Sequence, residues 1–376
     1  MKKILFISNI SGKLVSNFSI SSIMAAKELG FEFHLAANWS KSTSQIMKTE
    51  EEKYGIKLHH IDFNRNPFHP KNFHAYKQLL ELIRKEKYYI VHCNTPVGGI
   101  LGRLAAKKAG INKVIYMAHG FHFFSGAPLK NWLLYYPAEA IFALLTDELI
   151  TINKEDYNRA KKFKLRNNGS VHYSPGVGIN ISKYSKNEID KDKLRLELGI
   201  PQNAFVVISV GELNSNKNHE VIIKAIEQAK DEEIYYLICG EGNISGQLKR
   251  LANSLGLRER VKFLGFRSDI PRILKIADLF AFPSKREGLG LAGIEAMASG
   301  LALITSNVHG INDYSIHNIT SFKFNPNDVI GFSEAIITLK NNKELLSNLS
   351  ENNIEFAKRY DRSMAVDLIK SVYEKI

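Results

Sequence analysis

Pro283-Ser284-Lys285-Arg286-Glu287-Gly288-Leu289-Gly290-Leu291-Ala292-Gly293-Ile294-Glu295 decides how this chain is read. The stretch leaves an apolar, strand-like segment (Leu279–Phe282), passes a glycine-bearing turn and enters a run with helical character (Leu291–Ala298). A strand, a glycine turn and a helix N-terminus together favour an anion, because free backbone N–H groups and the helix dipole point at one spot. Two acids flank that spot. With Glu287 in the turn and Glu295 two turns into the helix, they lie about 10–12 Å apart, the span from a hexose to a ribose across a diphosphate. Carboxylates suit sugar hydroxyls because they accept hydrogen bonds, often two at once. Taken alone, a Glu after a strand also serves as a helix cap, and a mid-helix Glu is usually solvated. The surroundings favour a nucleotide-diphosphate sugar.

Working outward, short apolar runs alternate with amphipathic stretches on both sides. Ile4–Ser8, Phe31–Ala36, Leu58–Ile61, Ile90–Cys93, Val114–Met117 and Glu148–Ile152 read as strands, with helices over Ser19–Leu29, Lys71–Glu86, Gly99–Ala109 and Asp156–Phe163 between them. The pattern restarts with strands at Phe205–Val210, Tyr235–Cys239, Lys262–Phe263, Leu279–Phe282 and Leu303–Thr305. Repeated β-then-α units predict an α/β chain with two Rossmann-like, doubly wound parallel-sheet domains. The predicted seam is Ser174-Pro175-Gly176-Val177-Gly178-Ile179-Asn180, a hinge-bearing linker or an ordinary turn. Residues 1–178 then form one domain, 179–361 the other, and 362–376 a last helix that crosses back onto the first. No Gly-x-Gly-x-x-Gly follows the first strand, which weighs against a nicotinamide or flavin enzyme.

The 376 residues are 44% hydrophobic, enough for two cores. The longest apolar run, Trp132–Thr146, is broken by Pro137 and Glu139, so it reads as a core helix rather than a membrane span. The opening Met1-Lys2-Lys3 and Ile4–Ile7 imitate a signal peptide but are too short for one. Cys93 and Cys239 are far apart and lack metal spacing. These features predict a cytoplasmic protein. The net charge of +13 is lopsided, since residues 1–180 hold 25 Lys/Arg against 13 Asp/Glu. That asymmetry fits a polyanion or an anionic membrane surface facing the first half, or plain lysine-rich solubility.

Several loops after strands add candidates. Lys217, in the loop that begins at Gly211, is placed to meet a phosphate as a compact charge. Gly240-Glu241-Gly242 allows close backbone approach. Phe266 and Arg267 follow another strand and suit a base. In the first half, Gly12 follows the first strand. His119 directly follows Met117-Ala118, where it is placed to donate to a sugar hydroxyl or steady charge. Each of these has an ordinary structural explanation as well.

As an ordered set, Gly211…Lys217, Gly240-Glu241-Gly242, Gly265-Phe266, Ala277-Asp278, Pro283-Ser284 and Glu287-x7-Glu295 with Ala296-Met297-Ala298-Ser299-Gly300 resembles family-4 retaining glycosyltransferases of the GT-B fold. The resemblance spans essentially the whole chain and implies two domains facing across a cleft. It implies that Glu287 holds donor-sugar hydroxyls and acts with His119 at the reacting centre. It further implies that the amides of Gly288, Leu289, Gly290 and Leu291 face the diphosphate, that Glu295 binds the ribose, and that Lys217 binds the phosphates. Phe266 and Arg267 would border the base. No bound metal or other cofactor is implied, because Lys and a helix dipole neutralise the leaving nucleoside diphosphate. One departure stands out: Glu212 occupies the place where the family usually has an Arg, leaving Arg267 or Arg286 as candidates for the missing cation.

The expected activity is retaining transfer of a hexose or N-acetylhexosamine from a UDP-sugar to a glycan acceptor. The basic, aromatic segments Arg65–Phe73 and Phe121–Tyr136 suit a polyprenyl-diphosphate-linked acceptor at the inner face of the plasma membrane, as in capsule, exopolysaccharide or O-antigen assembly. Three rivals remain: a GT-B UDP-N-acetylglucosamine 2-epimerase, a non-catalytic UDP-sugar-binding subunit, and a nucleic-acid binder prompted by charge alone.

Overall fold

Buried parallel strands read as continuous apolar runs, and every run read as a strand from the sequence contributes to one. The structure is a computed structural model that describes residues 1–9, 12–185 and 189–375. It divides into two units, Met1–Gly178 with Arg362–Ile376, and Ile179–Asp361.

The first unit holds β1 (Lys3–Ile7), β2 (Glu32–Ala37), β3 (Lys57–His60), β4 (Ile90–Asn94), β5 (Lys113–Ala118), β6 (Glu148–Thr151) and β7 (Ser170–Tyr173). They form one parallel sheet in the order β3-β2-β1-β4-β5-β6-β7. The second unit holds β8 (Phe205–Val210), β9 (Ile234–Cys239), β10 (Val261–Gly265), β11 (Leu279–Phe282), β12 (Ala302–Ser306) and β13 (Ser321–Phe324), in the order β10-β9-β8-β11-β12-β13. Both orders reverse after the first strand of the unit. This places switch points between β1 and β4 and between β8 and β11, where open α/β sheets bind ligands. Leu279 pairs with Val207 and Phe280 with Ile208 at the second of these.

Two edge strands escaped the sequence reading. Ser170–Tyr173 and Ser321–Phe324 are short, and seven of their eight residues are only half-buried or exposed. An edge strand buries less, so its apolar signal is weak. The segment Ser174–Asn180 is a buried turn: Ser174 donates from Oγ to the Gly176 carbonyl at 2.6 Å, and Val177 and Ile179 are 2% and 4% exposed. Gly178 adopts a positive φ of 76°, and a Cβ there would stand 2.6 Å from the Arg362 Cα. The last helix, Arg362–Glu374, packs on the helix Asn17–Glu28 in the first unit, with the Tyr373 hydroxyl 2.8 Å from His92 Nδ1.

The expectation of a core helix at Trp132–Thr146 needs correction. The helix runs over Leu129–Ala143 with Pro137 inside it, and Ala143 is its one fully buried residue. Leu129, Leu133, Leu134 and Ile141 are 53–73% exposed. The helix is apolar on nearly every side, so composition gave no clue to which face the sheet covers.

The glycines of Gly240-Glu241-Gly242 serve loop packing. Gly240 has φ 148°, and a Cβ there would lie 1.9 Å from the Gly211 carbonyl oxygen; one on Gly242 would lie 2.2 Å from that of Leu213. Gly240→Ala is expected to lower the stability of the second unit by about 2 kcal/mol or more, from overpacking and backbone strain together. Urea titration followed by tryptophan-independent circular dichroism checks this, and an unchanged midpoint refutes it.

Candidate functional site

At the β8/β11 switch point the chain builds a site from two loops. Asn214 organises the first, its Oδ1 accepting the N–H groups of Asn216 and Lys217, each at 3.0 Å. Asn216 then stitches this loop to the next, donating from Nδ2 to the Arg286 carbonyl at 2.9 Å while its own carbonyl accepts from Lys285 N–H at 2.8 Å. Asn218, in the left-handed region at φ 56°, donates to the carbonyls of Pro283 and Pro326. The result brings Lys217 Nζ to 2.6 Å from Glu287 Oε1, with the ammonium 5.1 Å from the centre of the Phe282 ring. Both side chains keep some exposure, 21% and 13%. Gly211 makes room for the folded-back Lys217 stem, since a Cβ would meet it at 3.2 Å. Sequence spacing singled out Lys217 and Glu287; the three asparagines that position them went unnoticed.

Glu287, Gly288 and Leu289 precede the helix Leu291–Ala298, and Gly290 is its N-cap at φ 85°. Gly293 N–H donates back to the Gly290 carbonyl at 3.0 Å, and the amides ahead of it are the N-terminal donors of the helix. The loop is braced from behind by Tyr314, which is fully buried and donates to the Gly290 carbonyl at 3.2 Å. Gly310 N–H donates to the Glu287 carbonyl at 3.2 Å. Glu295 is the fifth residue of the helix, just over one turn in rather than two, because the helix starts only at Leu291. Burial raises its carboxyl above the usual range, partly offset by a hydrogen bond from Tyr184 and the charge of Lys183. Tyr184 lies on the short helix Ile181–Ser185, over a hundred residues away in sequence, which is why it was missed.

Of the two cations proposed to replace the missing Arg, Arg286 sits in the loop that Asn216 holds through the Arg286 carbonyl, and Arg267 is committed elsewhere. Arg267 is bidentate on Asp269 at 2.8 and 2.7 Å. Phe266 beside it is 77% exposed after β10, free to border a ring. Glu212 is exposed and accepts from Asn214 Nδ2 at 3.1 Å, so it supports the loop that presents Lys217. An acidic pair that the sequence reading passed over, Asp190-Lys191-Asp192, is accounted for by helix capping, with Asp190 Oδ1 accepting Lys193 N–H at 3.0 Å.

In the first unit His119 follows β5 with Nε2 2.8 Å from Asn94 Oδ1 and the Phe18 ring edge-on at 5.1 Å. The Asn94 carbonyl assigns the proton to Nε2, leaving Nδ1 as an acceptor. That Nδ1 and the Asn94 Nδ2 are both buried without a hydrogen-bond partner among the described residues. One acceptor and one donor suit a hydroxyl. Burial pushes the His119 pKa down to about 4, so the ring is neutral near pH 7 and does not steady charge as a cation. Thr95 is strained beside it at φ 65°, a conformation rare for a β-branched residue, with its Oγ1 accepting Asn9 N–H at 3.1 Å. Gly12 lines a small pocket with Phe6, Ser8, Phe18 and Trp39.

The group 1 glycosyl transferase family model matches residues 190–356, and the glycosyl transferase 4-like model matches residues 3–153. The Bacillus subtilis (strain 168) protein named as glycosyltransferase EpsD is 35% identical over 99% of this chain and 96% of its own length. The chain is a family-4-type glycosyltransferase. An Escherichia coli relative, UDP-Gal:alpha-D-GlcNAc-diphosphoundecaprenol alpha-1,3-galactosyltransferase, is 33% identical over 81% of this chain and 79% of its own. Among solved structures, Anabaena Alr3699/HepE in complex with UDP and glucose superposes with TM-score 0.81 at 21% identity over both full chains. The glycosyltransferase WaaG superposes with TM-score 0.72 at 17% identity, over 97% of this chain and 99% of its own. These likenesses establish the GT-B fold.

On the first unit of this glycosyltransferase the segments Arg65–Phe73 and Phe121–Tyr136 meet. A pocket of about 230 Å³ is lined from the first by Arg65 and Pro67 and from the second by His122, Phe123 and Tyr135. Phe68 and Phe73 beside it are 83% and 67% exposed.

The glycosyltransferase carries several neutral buried histidines. Burial holds His59, His119 and His219 at about 4 and His92 at about 3. Their folded-state values lie below the unfolded value of about 6.5. The stability they contribute is therefore complete above that value and lost as the pH falls toward 4. Thermal unfolding is expected to show a level Tm from pH 8 to 7 and a steep fall between pH 6 and 4; a Tm independent of pH over that range refutes it.

Proposed function

We propose that this glycosyltransferase moves a hexose or N-acetylhexosamine from a UDP-sugar, with retention at the anomeric carbon, to a polyprenyl-diphosphate-linked glycan. The observation that carries the donor side is the Lys217–Glu287 contact of 2.6 Å at the head of the glycine turn. An ammonium and a carboxylate held together are matched to a diphosphate and a sugar. When donor binds, Lys217 shifts its charge to the phosphate oxygens and Glu287 turns its freed lone pairs to sugar hydroxyls. The Gly288–Leu291 amides and the helix dipole stabilise the leaving diphosphate without calling on a metal. Glu295 takes the ribose hydroxyls, aided by Tyr184. His119 Nδ1 accepts from a sugar hydroxyl near the reacting carbon.

Support for the donor comes from the HepE complexes, one with UDP and one with UDP-glucose, and for the acceptor from the galactosyltransferase relative's name. Among the described residues no helix is long and apolar enough to cross a membrane. The exposed face of Leu129–Ala143 with Phe68 and Phe73, on the half carrying most of the net charge, suits peripheral binding at the anionic inner face of the plasma membrane. Capsule or exopolysaccharide assembly is the setting we propose.

Glu287→Ala is expected to lower transfer by about a hundredfold or more while UDP affinity stays within a few-fold. Glu295→Ala is expected to weaken UDP binding about tenfold with a smaller effect on saturated rate. Calorimetry with UDP and a UDP-sugar transfer assay separate the two, and full activity in both variants refutes the site. Anionic liposomes are expected to retain the wild type in low salt, and Leu133→Ser/Ile141→Ser to reduce retention severalfold. Equal sedimentation of both proteins with neutral and anionic vesicles counts against the membrane reading.

A further inference from the structure

Beneath the pocket of the first unit lies a polar group that no part of the donor chemistry uses. Arg103 is 1% exposed, stacked 4.0 Å from the centre of the Tyr116 ring, and donates from Nε to the Gly99 carbonyl at 2.9 Å. Its Nη2 lies 3.3 Å from Glu139 Oε2, while the Tyr116 hydroxyl donates to Glu139 Oε1 at 3.1 Å. Burying an ion pair is costly, and well-packed apolar residues often serve stability as well or better. Here the pair fixes one carboxylate, 18% exposed, in the lining of a pocket whose wall is mostly apolar, with Pro96, Val97, Ile100, Tyr135 and Phe142, and carries Arg65 and His122 besides. Each carboxylate oxygen is held from below by one donor and keeps a lone pair for another.

An apolar pocket with one oriented acceptor and an aromatic wall has the composition of a sugar subsite. We propose that this pocket seats the terminal sugar of the acceptor, with its hydroxyl or amide hydrogens donating to Glu139, and that Arg103 and Tyr116 are the positioning residues that aim this carboxylate. Exposed Arg65, on the same lining, meets the diphosphate that follows the sugar. Glu139 thereby selects an acceptor that presents a hydrogen-bond donor at that spot and rejects one that presents an acceptor or nothing. The proposal rests on the transferase reading for the nature of the ligand, though not for the presence of the site.

Binding without turnover tests it. A short-chain alkyl diphosphate carrying N-acetylglucosamine, and the same alkyl diphosphate without the sugar, are titrated by NMR into wild type, Glu139→Gln and Ala138→Phe. The Gln variant keeps the shape and removes the charge. Ala138→Phe fills the pocket from its wall and leaves the Arg103 pair intact, which covers the case in which Glu139→Gln misfolds. The expected result is sugar-dependent binding to wild type, weakened about tenfold or more in both variants, with UDP affinity unchanged. Equal binding in all three proteins, or equal binding of the two probes to wild type, overturns it. So does the absence of binding to wild type. A parallel transfer assay on wild type separates these failures from failure of the transferase reading, because transfer to another acceptor preserves the latter.

Discussion

One ion pair ties together the two loops at the β8/β11 switch point. Lys217 and Glu287 lie seventy residues apart, on loops following β8 and β11, yet their charged atoms are 2.6 Å apart. Their meeting depends on sheet order, because only the β8–β11 neighbour relation brings those loops together. It also depends on a layer of uncharged hydrogen bonds, in which Asn214, Asn216 and Asn218 fix the backbone on which each charge rides. A partly exposed pair contributes little net stability, commonly below about 1 kcal/mol. Its value is positional: two charges held ready, each able to exchange its partner for part of a ligand at modest cost.

The first unit uses burial to a different end. His119 is neutral because burial strips it of solvent, and its hydrogen bond to Asn94 leaves an acceptor nitrogen inside the fold. A neutral imidazole offers a directed lone pair, which a charged one, with both nitrogens protonated, does not. The strained Thr95 beside it, at the β1/β4 switch point, is consistent with a backbone shaped for something other than stability.

Much of this architecture was legible in the chain. Runs such as Phe205–Val210 and Leu279–Phe282 are apolar throughout because both faces of a parallel strand are covered, and their spacing revealed the two doubly wound sheets. Glu287, Lys217 and His119 were singled out because loops after strands in such sheets carry ligands, and the structure does place each in such a loop. What stayed hidden has a common physical cause. Tyr184, Tyr314, Asn94, Asn216 and Asn218 act through contacts between residues distant in sequence, and nothing local marks a Tyr that donates to a loop carbonyl. The glycines of Gly240-Glu241-Gly242 were legible as close approach but not as approach to a neighbouring loop rather than a ligand. Edge strands β7 and β13 failed for want of burial.

The helix Leu129–Ala143 shows how a misread element becomes informative. Fully burying a Leu or Ile contributes about 1.5–3 kcal/mol, so leaving Leu129, Leu133, Leu134 and Ile141 mostly in water forgoes a stabilisation comparable to that of a whole domain. Scattered exposed apolar residues need no explanation, whereas a cluster on one helix does. The same helix turns Glu139 inward to Arg103 and Tyr116, and Tyr135 toward the pocket. One element thus presents an apolar outer face and a polar inner one. The proposed acceptor, with an isoprenoid tail and a sugar-diphosphate head, has the same two parts in the same order, and on that proposal a single helix offering both surfaces would let the head enter the pocket while the tail stays in lipid.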